Sequence, residues 1–312
     1  MSMKATRDAY GEWLVEAGRR NPDVVVLDAD LSESTKTNLF AREFPGRFFD
    51  VGAAEQNLVA VSAGFAKTGK RVFASSFAIF ETGRAWEQIR NFVAHDSLNV
   101  ALVASHSGLS CAADGASHQA LEDVALMRVV PNMRVVAPCD AEETRSSLDA
   151  FMASDGPIYV RLRREKEPIL QKSYEFKLGR AGVMREGSDV TLVASGASVS
   201  VCLKAAEKLR EAGFDAGVLN VHTIKPLDEE AVVKAAGTGI VVTVEEHSVV
   251  GGLGGTVSEA LSELKPTPIR RIGVRDSFGL SARTYEEILE RFHLTPAGVA
   301  AETEAFIRKN RK

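Results

Sequence analysis

Short runs of β-branched and aliphatic residues alternate along this chain with longer stretches whose apolar residues recur every three to four positions. The first pattern is that of strands and the second that of helices, and their regular succession restricts the fold more than any other feature. Segments 24–30 (VVVLDAD), 71–76, 99–106 and 134–138 read as strands, while 53–67 and 85–94 carry helical spacing. Near-continuous apolar strands separated by helices belong to a parallel sheet covered on both faces. A run at 157–162 (PIYVRL) closes this first unit. The stretch 161–177 then breaks the rhythm. Charge-rich, with Pro168 and no clean period, it reads as an inter-domain connection.

The alternation resumes with strands at 189–195, 216–221, 240–245 and 269–274, and helices at 198–212 and 254–264. The expected class is therefore α/β: two consecutive α/β domains at 1–168 and 183–312, joined by a linker at 169–182. A length of 312 residues fits two domains at about 100–200 residues each. Lys and Arg total 38 against 42 Asp and Glu, a net charge of −4, which lacks the field for non-specific nucleic-acid binding. No apolar run approaches the ~20 residues of a membrane span. The polar N-terminus has no signal-peptide core. Three cysteines without CxxC spacing predict reduced thiols in a cytoplasmic protein and no structural zinc.

In open α/β sheets ligands gather beyond the carboxyl ends of the strands. The residues there include Asp28, Asp30, Gly52, Glu55, Ser75, Ser76, Phe77, Ser105 and His106. The small, polar loop 107–119 (SGLSCAADGASHQ) carries Asp114 and His118. By position alone Glu55 complements the positive end of a helix dipole; a carboxylate facing a ligand nitrogen is the alternative. His106 and His118 bracket Asp114 without a third metal ligand. The spacing favours hydrogen-bonding groups for a hydroxylated substrate, with histidines that exchange protons near neutral pH. Phe77 and Phe80 read as core, and Arg163 and Arg164 as a solvated linker face. The run GGLGG at 251–255 fails the dinucleotide fingerprint at Val257. No P-loop, GxSxG or GDG segment is present.

Together the segments DVGAAEQN (50–57), ASSFAIFETGRAWEQIRN (74–91), SHSGLSCAADGASHQALEDVALMRVVPNM (105–133) and GPIYVRLRR (156–164) closely resemble the transketolase family of thiamine-diphosphate enzymes. EEHSVVGGLGG (245–255) and RRIGVRDSFG (270–279) resemble that family's C-terminal domain. The resemblance implies a pyrimidine-binding domain followed by the C-terminal domain. The family's diphosphate-binding domain, with its GDG magnesium motif, has no counterpart here. It thus implies the C-terminal subunit of a split transketolase, which transfers a two-carbon ketol group from a ketose phosphate to an aldose with a separate N-terminal subunit.

Roles follow from the same resemblance. Glu55 would bond the aminopyrimidine ring nitrogen, with Phe80 stacked on that ring, Phe77 lining its pocket and Asp30 near the cofactor and the dimer interface. His106 would stand in the substrate channel, and Asp114 and His118 would contact sugar hydroxyls. Arg7, Ser34 and Arg163 would bind the sugar phosphate. Glu55, His106 and His118 are the implied catalytic groups. Thiamine diphosphate and Mg2+ are the implied cofactors, with the metal and diphosphate held mainly by the partner and no metal ligand on this chain. A heterotetramer of two of each subunit is implied, and a homodimer of the isolated chain is left open. Ala113, Ala116 and Gly83 replace residues common in the family and leave the sugar open. The competing assignments are the β subunit of a 2-oxo-acid dehydrogenase, a deoxyxylulose-phosphate-synthase-like enzyme and a non-catalytic partner subunit.

Overall fold

A computed structural model of the chain describes residues 2–310. Fourteen strands are present among them. The first eight are β1 (Met3–Ala5), β2 (Val24–Asp28), β3 (Phe48–Asp50), β4 (Arg71–Ser75), β5 (Val100–Ala104), β6 (Arg134–Val136), β7 (Ile158–Arg161) and β8 (Lys166–Pro168). The remainder are β9 (Gly182–Arg185), β10 (Val190–Ala194), β11 (Ala216–Asn220), β12 (Thr223–Lys225), β13 (Val241–Ser248) and β14 (Ile269–Val274).

The first sheet has the order β12-β6-β7-β5-β4-β2-β3. Its strands run parallel except β12, which pairs antiparallel with β6. Successive residues of a strand face opposite sides. In β2, Val25 and Leu27 accordingly pack with Leu58 and Val59 of the helix Glu55–Lys67. Val24 and Val26 pack with Trp13 and Leu14 of the helix Thr6–Arg20, on the other side. Both faces are buried, so the strand has no polar alternation to show.

The second sheet, β14-β13-β10-β11-β9, is mixed, because β9 joins β11 antiparallel. One face carries the helices Ser198–Glu211 and Pro296–Asn310, through Val199, Cys202, Val299 and Ile307. The other carries Leu253–Leu264, through Leu253, Val257 and Leu261.

Two features depart from the sequence reading. The charged stretch 161–177 is not a plain connection: its residues Lys166–Pro168 pair antiparallel with Met3–Ala5. Beyond it, Leu170 is buried in the second core and the Tyr174 hydroxyl donates to Glu143 at 2.9 Å. In addition, β12 lies beyond the start of the second sheet in sequence yet forms an edge of the first. The chain crosses back, and the two sheets are stitched together by this strand.

Candidate active site

The carboxyl ends of β2, β4 and β5 open into a cavity of about 350 Å³ lined by Arg7, Glu33, Ser34, Phe77, His106, Asp114, His118 and Arg164. Asp28, the last residue of β2, anchors the segment that carries Glu33 and Ser34. That buried carboxylate accepts hydrogen bonds from Leu31 N (2.6 Å), Thr35 Oγ1 (2.7 Å) and Thr37 Oγ1 (2.8 Å). These bonds hold the turn that presents Ser34, whose carbonyl accepts from Arg7 Nη1 at 2.9 Å. Burial pushes the Asp28 carboxyl up to about 6.

His106 follows β5 in a left-handed conformation, φ 60°. Few residues other than glycine adopt it without strain, and such positions cluster at functional sites. Its ring stacks on Phe77 at 3.8 Å between centroids. Nδ1 lies 2.8 Å from Ser105 Oγ, and Nε2 lies 3.5 Å from Arg7 Nη1. A guanidinium can only donate, so Nε2 faces it as an acceptor and the ring proton belongs on Nδ1. Burial first, then Arg7 and Arg164, bring the imidazole down to about 3. Burial thus favours the neutral, hydrogen-bonding form of His106 in this chain. Across the cavity Asp114 pairs with Arg164 at 3.3 Å, and His118 Nδ1 meets Ser117 Oγ at 2.9 Å.

Beside this cavity, Glu55 is the first residue of its helix and is buried. Its Oε2 accepts from Arg84 Nη1 at 2.8 Å. Phe77 and Phe80 stack with centroids 5.9 Å apart and planes 17° from parallel. The Phe80 ring is 5.2 Å from His118, and the Arg84 guanidinium lies over Phe80 at 5.4 Å. Added Cβ atoms at Gly52 and Gly83 would meet nothing within 4 Å. A buried carboxylate next to an aromatic face with open space beside it suits a flat, nitrogen-bearing heterocycle.

Of the residues singled out from sequence, Arg7, Ser34, Phe77, His106, Asp114 and His118 line one cavity, and Phe80 and Glu55 adjoin it. Two do not. Arg163 is buried, 2.6 Å from Glu167 and 3.4 Å from Glu246, with its guanidinium over the Tyr285 ring. It sits in the seam between the domains and does not line the cavity; Arg164 does. Asp30 is exposed outside the cavity, its N–H donating to Asp50 Oδ1 at 3.0 Å. Arg164, Glu33 and Arg84 were missed. The pair Phe80 and Arg84, four apart, was the available signal, since such residues share a helix face.

Residues 2–168 match the family model "Transketolase, pyrimidine binding domain", and 179–299 match "Transketolase, C-terminal domain". The chain belongs to the transketolase family. It is 44% identical to the 6-deoxy-6-sulfo-D-fructose transketolase subunit SqwH of Clostridium sp., over 97% of this chain and 95% of that one. It is 38% identical to one subunit of the apulose-4-phosphate transketolase of Phocaeicola vulgatus, over 99% of both chains. A solved structure titled "Split gene transketolase, inactive beta4 tetramer" superposes with a TM-score of 0.88 at 48% identity, covering 98% of this chain and 97% of that one. The similarity to split-transketolase subunits runs nearly end to end along both chains. Among the described residues no group of three or more His, Cys, Asp or Glu could hold a metal ion. No helix among them is long and apolar enough to cross a membrane.

Proposed function

We propose that this transketolase subunit, with a separately encoded N-terminal subunit, transfers a two-carbon ketol group from a ketose phosphate to an aldose. The observation that carries the reading is the meeting of Glu55, the Phe77–Phe80 pair, a His/Asp polar wall and two arginines at one sheet edge. Thiamine diphosphate, when bound, supplies the carbon nucleophile and the electron sink for carbon–carbon cleavage. Glu55 receives the aminopyrimidine nitrogen and shares a proton with it, a charge-assisted bond stronger than a neutral one. Phe80 offers its face to the same ring. His106 and His118, with Asp114, orient sugar hydroxyls. Arg7 and Arg164 take the phosphate, for which a guanidinium's planar fork is suited. Arg164 replaces Arg163 in this role.

The diphosphate and Mg2+ are assigned mainly to the partner, in a cytoplasmic heterotetramer of two of each subunit. The pairing of arginines with Asp114 and two histidines favours a phosphosugar over a simple oxo acid. The test is ketol transfer by the reconstituted pair with thiamine diphosphate and Mg2+. Glu55→Ala is expected to lower turnover at least about a hundredfold, and near-normal turnover overturns the assignment. Oxidative decarboxylation of pyruvate without ketol transfer would overturn the reaction class.

A further inference from the structure

Arg84 does two things at once. Its Nη1 donates to Glu55 Oε2 at 2.8 Å, and its guanidinium lies over the Phe80 ring at 5.4 Å. It therefore engages the carboxylate and the aromatic face that the proposed function gives to the aminopyrimidine. The two members of the pair differ sharply in setting: the Glu55 side chain is 3% exposed and that of Arg84 is 56% exposed. The carboxylate is fixed at the root of its helix, whereas the arginine reaches in from solvent. An exposed arginine on the end of a short helix is free to swing out, and the open space beside Gly83 leaves its path clear.

Resting on the assignment of Glu55 to the aminopyrimidine, we infer that Arg84 is a displaceable latch that stands in for the heterocycle in the free subunit. The guanidinium neutralises a buried carboxylate that would otherwise lack a counter-charge, and it covers the aromatic face from water. A charge left buried without a partner is strongly destabilising, so the latch gives the free chain a stable resting site. The same contact must break before a ring can occupy the slot. Arg84 thereby weakens binding of the heterocycle to the lone subunit and reserves the slot for an assembled complex. Neither the ring nor the arginine can hold both Glu55 Oε2 and the Phe80 face while the other is there.

The test measures binding of a neutral probe, 2-methyl-4-aminopyrimidine, to the full isolated chain by ligand-observed NMR titration. Replacing Arg84 by Met keeps side-chain length and removes the charge. Arg84→Met is expected to tighten the probe roughly three- to tenfold, in line with a part-buried ionic hydrogen bond. Arg84→Lys is expected to stay near wild type. Added salt screens the pair, so probe affinity should rise with ionic strength in the wild type and stay flat in Arg84→Met. Unchanged or weaker binding by Arg84→Met overturns the latch. Glu55→Ala in the same titration separates the two ideas. If it binds the probe as wild type does, the Glu55 assignment fails and the latch with it. If it loses the probe while Arg84→Met matches wild type, only the latch fails.

Discussion

At the carboxyl edge of the first sheet Glu55 begins a helix, with its carboxylate turned to an open slot and an exposed arginine. At the same edge of the second sheet Glu245, on β13, also meets the start of a helix. There it accepts hydrogen bonds from Leu253 N at 2.7 Å and Gly254 N at 2.8 Å. A helix N-terminus is a ready anion site, and in the second domain the chain's own carboxylate fills it. Within the glycine run 251–255, Gly252 is the residue that makes room for that closure. A Cβ on Gly252 would collide with the Glu245 carboxylate and lie 2.5 Å from His247 Nδ1. Fold topology offers the same place twice; the side chains decide that one stays open for a ligand and the other is sealed. The adjacent arginines repeat the contrast, Arg163 sealed in the seam and Arg164 facing the cavity.

The sharpest break of this contrast is at the arginines. Removing Arg163 leaves Glu167 and Glu246 buried without their cation, and Arg163→Ala should cost about 3–5 kcal/mol in chemical denaturation. Arg164→Ala should leave stability within about 0.5 kcal/mol. It should instead raise KM for a phosphorylated donor about tenfold, the loss of one charge-assisted contact. Equal stability losses in the two variants would erase the distinction between sealed and open. Next comes Gly252→Ala, expected to destabilise by about 1–3 kcal/mol through overpacking against Glu245 and His247. A neutral result would mean that the closure at Glu245 is loose.

A pH titration sharpens the same point. Burial, only partly offset by the Gly254 and Leu253 N–H groups, pushes the Glu245 carboxyl from 4.5 up to about 7. For an acid raised on folding, the stabilisation is full below the unfolded value and is lost as pH rises through the folded one. Neighbouring His247, brought down to about 4 by burial, works in the opposite sense, losing its contribution as pH falls. Comparing wild type with Glu245→Gln largely cancels the histidine. Wild type should lose roughly 1–2 kcal/mol relative to Glu245→Gln between pH 5 and pH 8, read from paired urea melts. A difference that does not change with pH would show that Glu245 is ionised throughout.

What the sequence could and could not reveal follows the same physics. Strands β2, β4, β5, β10 and β11 were legible because burial on both faces leaves a mostly apolar run. Strand β12 was not, since Thr223–Lys225 is three residues long and gains its partner only by crossing to the other sheet. Glu55, Asp114 and His118 were found by position at strand ends and by family resemblance. Choosing between Arg163 and Arg164 was beyond sequence alone. Past Arg161, the end of β7, a shift of one residue moves a side chain to the opposite face, and two arginines in succession give no pattern to fix the parity. The setting of His106 was equally hidden, because its burial, first, and then Arg7, 99 residues away in sequence, arise only from the tertiary fold.

The smallest effect tests whether the first site is truly open. Gly83 lies inside the helix Ala78–Arg84, and an added methyl there would meet nothing within 4 Å. Glycine in a helix interior is less favourable than alanine by about 0.8–1.0 kcal/mol. With no clash to offset that gain, Gly83→Ala should stabilise the chain by about 0.5–1 kcal/mol. Thermal melts of the isolated chain would read this as a small rise in Tm, opposite in sign to Gly252→Ala. A fall in Tm would mean that the space beside Phe80 is already filled, and the two sheet edges would then be closed alike.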